Sequence, residues 1–214
     1  ARWYSDLFGG TEVGFYYTNL HSRLPLISSI TGTEPGVAAG NYGASAEYFL
    51  EFPEDIQTFG MSFNSDLGMT GWAIQGEASL HLDQPLQVDD VEILLASLSP
   101  LNAVFGQNQL GVYDYDEKVT GYVRKDVAQA QFTVSRLFPG LFGADQVAVV
   151  GELGATMVNE MDDKNEFRYE AVGTYTSGND FFTNLGIQPG TESIDAFPDR
   201  LSMGYRVLSR ATYY

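Results

Sequence analysis

Between Phe59 and Asp83 the hydrophobic and polar positions alternate strictly. Trp72, Ile74, Gly76, Ala78, Leu80 and Leu82 fall on one face, and Ala73, Gln75, Glu77, Ser79, His81 and Asp83 on the other. Phe59, Met61 and Phe63 alternate in the same way with Gly60, Ser62 and Asn64, and the segment from Ser65 to Gly71 has the glycines and Asp of a tight turn. The pattern predicts a β-hairpin. A strand of about twelve residues at ~3.3 Å each, tilted by ~40°, rises ~30 Å, the thickness of a bilayer's hydrocarbon. Strands of soluble sandwiches average about five or six residues.

Five further segments show strand patterning. They are Glu12 to Arg23, Ser45 to Phe52, Val123 to Leu137, Asp145 to Val158 and Arg200 to Tyr214. In the last, Tyr205, Val207, Ser209, Ala211 and Tyr213 share a register, with Tyr214 one residue out of phase. Leu24 to Ala44, with two prolines and several glycines, reads as a long loop. If Ser45 to Asp66 is one strand kinked at Pro53, the three long connections lie on one side of the sheet and the short ones on the other, the asymmetry of an outer-membrane barrel. The apolar phase shifts from even positions (46 to 52) to odd (59 to 63) across Pro53, as one bulge requires. The expected fold is therefore all-β, an antiparallel transmembrane β-barrel of which this chain supplies about six long strands, residues 1–214 forming part of one barrel domain. Gln84 to Gly121 is too long for a plain connection. Within it Val91, Leu94, Leu95 and Leu98 have helical spacing behind Asp89 and Asp90 as caps, a helix that either folds inward as a plug or ligand-facing wall or packs on its own loop.

Composition narrows the partners. The net charge of −17, from 28 acids against 11 bases, repels phosphate backbones and excludes nucleic acid as a natural ligand. The 14 Phe, 13 Tyr and 23 Gly favour strands and turns. With no cysteine the redox compartment stays open between cytosol and envelope. Residues 1–10 lack the pattern of a signal peptide, so a processed or partial chain is expected. Acids cluster at Asp83, Asp89, Asp90 and Glu92, at Asp114, Asp116 and Glu117, and at Glu160, Asp162, Asp163 and Glu166. These read as solvated loop surface or as divalent-cation ligands, but none has calcium-loop spacing. His21 and His81 are the only histidines, which excludes a histidine-rich metal site. Neither a metal centre nor a cofactor is expected.

The polar face bearing Gln75, Glu77, His81, Gln129, Gln131, Glu152, Arg206 and Arg210 is expected to line the lumen, with Glu77, Glu152 and the arginines paired because unpaired charge in a low-dielectric wall is costly. Phe52, Pro53, Glu54, Asp55 and Ile56 are the candidates for a lateral opening, and Val91, Leu94, Leu95 and Leu98 for a plug. Ser79 and His81, two apart on one face, raise a rival reading as an outer-membrane lipid hydrolase, although no orienting Asn or Asp is evident.

Four segments carry a family resemblance: EFPEDIQTFGMSFN at 51–64, the Gly76–Glu77 strand leading to QPLQ at 84–87, VAQAQF at 127–132 and VGELG at 150–154. They resemble a family of proteobacterial outer-membrane proteins carried as a domain of unknown function and associated with growth on steroids, alkanes, terpenes and aromatics. The resemblance spans most of residues 45–158. It implies a longer protein of which this chain is a fragment, a bacterial outer-membrane location, contact with membrane lipid and lipopolysaccharide, and a barrel similar to FadL-like channels, in which a kinked wall strand opens sideways into the membrane. It brings no catalytic residues. The expected function is passive uptake of hydrophobic or small organic molecules without enzymatic activity. The alternative is a structural or adhesive barrel that binds a surface partner. A periplasmic or membrane protein partner is compatible with either.

Overall fold

The computed structural model describes residues 1–6 and 9–213 of the chain. In order they form β1 (Arg2–Ser5), β2 (Thr11–Leu20), β3 (Leu26–Ile30), α1 (Glu34–Ala38), α2 (Tyr42–Ser45), β4 (Glu47–Glu51), β5 (Ile56–Asp66) and β6 (Trp72–Gln87). Then follow α3 (Asp90–Ser97), β7 (Lys118–Val119), β8 (Tyr122–Pro139), β9 (Gln146–Val158), α4 (Asp180–Asn184) and β10 (Leu201–Thr212). Tyr214, expected one residue out of phase, lies outside the described residues.

Seven strands make an antiparallel meander in the order β1-β2-β5-β6-β8-β9-β10. The pairing carries the period-two pattern of the sequence across the whole sheet. One row of partners runs Val13, Phe63, Gly76, Phe132, Leu153 and Tyr205; the adjacent row runs Asn64, Gln75, Thr133, Glu152 and Arg206. One face is predominantly apolar and the other predominantly polar, with Ala148, Val150 and Leu208 as apolar exceptions on the polar side. In β10 the apolar row takes Tyr205, Val207, Ser209 and Ala211, as their spacing predicts.

Three expectations need correction. The sheet is not closed: β1 and β10 are its two edges among the described residues, and it holds seven strands rather than six because four-residue β1 is too short to show periodicity. Leu24 to Ala44 is not plain loop but contains β3 and α1, the helix being capped by Thr33, whose Oγ1 accepts the Gly36 N–H at 3.1 Å. Ser45 to Asp66 is not one kinked strand. Its first half, β4, belongs to a separate three-stranded sheet, β4-β3-β7, and its second half, β5, to the seven-stranded one. Proline, lacking an N–H, ends pairing at residue 53, and Asp55 takes a φ of 62°, so the chain changes sheets there. A change of sheet shifts apolar phase just as a bulge does. The actual bulge is on the neighbouring strand, where β6 spends one extra residue between His81 and Gln84 and Asp83 adopts a φ of 56°.

The three long connections, 21–55, 88–121 and 159–200, share one end of the sheet, and the short ones, at 67–71 and 140–145 among them, share the other. The long ones fold together into a cap that contains most of the buried core. Val88, Ile93, Ala96 and Val119 form its apolar centre with Leu110, Tyr113, Val123 and Phe167 around them, and Phe182 and Phe197 are fully buried. The sheet is the reverse: Phe15, Phe59, Met61, Leu153 and Tyr205 on its apolar face are exposed. The accessible surface, 13172 Å² for 23.5 kDa, exceeds the ~9,800 Å² of a compact monomer of that mass. The excess is the uncovered sheet.

Candidate functional site

The residues expected in a lumen do share one face. Glu77 is opposite Gln131 and Ser62, Gln75 is opposite Thr133, and Glu152 is opposite Arg206. Gln129, Gln131, Glu77 and Ser79 border a hollow of about 470 Å³ on this face. The expected pairing of charge holds for Glu152, which accepts from Arg206 Nε at 2.6 Å. Glu77 instead accepts from the Tyr16 hydroxyl at 2.6 Å, and Arg210 stands opposite Ala148, with no ion pair among the described residues. His81 contacts Ser79 Oγ through Nε2 at 3.2 Å and Thr58 Oγ1 through Nδ1 at 3.0 Å. Its second nitrogen therefore meets a hydroxyl, not the carboxylate that holds a catalytic imidazole.

The segment from Phe52 to Ile56 crosses from cap to sheet. Pro53 and Ile56 are buried, while Phe52, Glu54 and Asp55 are exposed. Arg124 ties this crossing to the bulge by donating from Nη2 to the Glu54 carbonyl at 2.9 Å and from Nη1 to the Asp83 carbonyl at 3.0 Å.

Helix α3 begins where Asp89 caps it, the carboxylate accepting the Val91 N–H at 3.1 Å. Its buried side is Glu92, Ile93, Leu95 and Ala96, so of the four plug candidates only Leu95 packs inward; Val91 and Leu98 are half-buried and Leu94 is exposed. Helical spacing identifies the helix, but Glu92, which reads as solvated loop surface, is buried with a partner. Val91, Leu94 and Leu98 instead form one wall of an apolar cleft of about 540 Å³, faced by Ile27, Tyr42 and Tyr48.

Sequence periodicity did not reveal the polar centre of the cap. Glu92 and Arg168 are both buried, 76 residues apart, with Nη2 donating to Oε1 at 2.8 Å. The Ser177 hydroxyl donates to the same oxygen, and the Gln109 N–H donates to Oε2 at 2.8 Å. Gln109 in turn bonds both backbone groups of Arg168. The network joins the second long connection to the third. Beside it, burial and the neighbouring charges of Glu92, Glu170 and Asp90 push the Asp89 carboxyl up to about 7, and burial raises that of Glu170.

At the other end of the sheet Arg136, on the apolar face, stacks on Trp72 at 5.4 Å and Phe138 at 4.6 Å. From Trp72 to Leu82 the apolar positions span ten steps of ~3.3 Å, about 33 Å along the strand.

Across all of residues 1–214 the chain matches the family model described as "Protein of unknown function (DUF1302)". The chain belongs to the DUF1302 family. The segments at 51–64, 84–87, 127–132 and 150–154 that carry the resemblance thus lie inside a match covering the whole chain, cap included. In DUF1302 terms, this member joins a seven-stranded antiparallel sheet to a cap built from its long connections. No curated protein and no solved structure matches it.

Proposed function

We propose that this protein is part of the wall of an outer-membrane β-barrel that admits hydrophobic or small organic molecules by passive diffusion. One observation carries this reading: one face of the seven-stranded sheet holds most of its large apolar side chains, with Phe15, Phe59, Met61, Phe132, Leu153 and Tyr205 exposed, and the opposite face holds most of its polar ones. In water such a face is a large unpaid hydrophobic area; in a bilayer it is the lipid contact. Closure then recruits further strands at β1 and β10, since lipid offers no partner for an open edge.

In this reading the cap is the outer vestibule. An apolar solute enters the cleft between Leu94 and Tyr48, within the size range of small-molecule sites. The crossing at Phe52–Ile56, held by Arg124, is the junction past which solute leaves sideways, at the rim of the wall rather than through a kink inside a strand.

The test is uptake of a labelled hydrophobic compound by cells carrying the full-length protein, with a small sugar as control, at matched surface levels. Uptake that requires the protein and falls in the Leu94→Glu variant, with sugar uptake unchanged, supports the channel. If cells with and without the protein take up both solutes equally, the channel fails and a structural or adhesive barrel is the better account.

A further inference from the structure

Asp89, Asp90 and Glu170 come from two different long connections, yet one carboxylate oxygen of each lies within 4.8 Å of the others. The backbone brings them together: Val88 bridges Tyr169, the Asp89 N–H donates to the Arg168 carbonyl at 3.2 Å, and the Asp90 N–H donates to Glu170 Oε2 at 3.0 Å. Asp89 is 1% exposed, and while its Oδ1 caps α3, its Oδ2 has no hydrogen-bond partner. A buried carboxylate oxygen without a donor is costly unless a proton or a cation satisfies it. The arginine next door does not: Arg168 gives its Nη2 to Glu92.

We propose that Asp89, Asp90 and Glu170 bind one calcium ion that staples the second long connection to the third. Three carboxylates supply hard oxygen ligands, and three oxygens within 4.8 Å of one another can share one ion at Ca–O distances of ~2.3–2.6 Å, the flexible coordination that calcium accepts. Asp90 is exposed and Glu170 half-buried, so water reaches the remaining coordination positions. The absence of calcium-loop spacing from the sequence does not count against this site, because its ligands lie 80 residues apart and are brought together by the cap. The inference is independent of what the barrel transports.

The experiment is calorimetric titration of calcium chloride into the full-length protein in detergent after chelation, with trypsin digestion of the cap as a second readout. Wild type is expected to bind one calcium per chain, with a Kd in the ~10⁻⁴–10⁻³ M range of extracellular sites, and to gain protease resistance in the cap. Asp89→Asn, which keeps an oxygen to cap Val91, and Glu170→Gln should each weaken binding about tenfold or more and abolish the protection. Glu166→Gln, an exposed acid of the same connection, should behave as wild type. If wild type shows no saturable calcium binding, or if Asp89→Asn and Glu170→Gln both bind as wild type does, the site does not exist. Circular dichroism of each variant distinguishes lost ligation from lost fold.

Discussion

Replacing Glu92 with alanine tests the cap at its centre. The side chain is fully buried and accepts from the Arg168 guanidinium, the Ser177 hydroxyl and the Gln109 N–H. Its removal strands the Arg168 guanidinium, itself 5% exposed, without a counter-charge, and breaking a buried pair from one side costs about 3–5 kcal/mol. That energy is local, because the seven-stranded sheet shares none of these bonds. Amide hydrogen exchange of α3 should therefore accelerate by a factor of about 10²–10³ or more, while β6 and β8 keep wild-type protection. The double variant Glu92→Met with Arg168→Met should recover most of the loss, since apolar replacement of a whole buried pair is often neutral. Wild-type exchange of α3 in Glu92→Ala would refute the claim that this pair holds the long connections together.

Three further outcomes follow from the same geometry. Ala130→Arg, at mid-height on the apolar face, should destabilise the protein in lipid vesicles by about 2–4 kcal/mol in urea unfolding, while Gln129→Arg on the polar face should cost far less. Burial alone would raise the Glu51 carboxyl, but bonds from Lys118 at 2.6 Å and from Ser28 outweigh it and lower the pKa. The stability this adds to the three-stranded sheet is present above the ordinary carboxylate range and is lost as pH falls through the depressed value, so exchange of β3 should accelerate at acid pH in wild type and change less with pH in Glu51→Gln. Arg124→Ala should release both the crossing and the bulge, at about 1–3 kcal/mol locally, seen as faster proteolysis near Glu54.

What sequence could show here follows from range. Alternation of period two is a local signal, and it placed Phe59 to Asn64 and Trp72 to Leu82 on the faces they occupy, up to the bulge at Asp83. The Asp89 cap of α3 is equally local. The cap's assembly is not: Glu92 meets Arg168 and Asp90 meets Glu170 across 76 and 80 residues of chain, and no spacing rule links them. Pro53 marked a real discontinuity, but a proline and a phase shift read the same for a bulged strand and for a change of sheet. The burial of Glu92 was not legible, because it looks like a solvated acid until its partners are seen.

The central claim, that one face of the sheet meets lipid and the other water, is tested most directly by paired nitroxide labels. With no cysteine in the chain, Phe132→Cys and Gln131→Cys each create a single attachment point, adjacent in β8 and on opposite faces. Collision rates with oxygen, which concentrates in lipid, and with a water-soluble nickel chelate are then measured in vesicles. The account predicts that the label at 132 favours oxygen and the label at 131 favours nickel. Nickel-dominated collisions at both positions would contradict it.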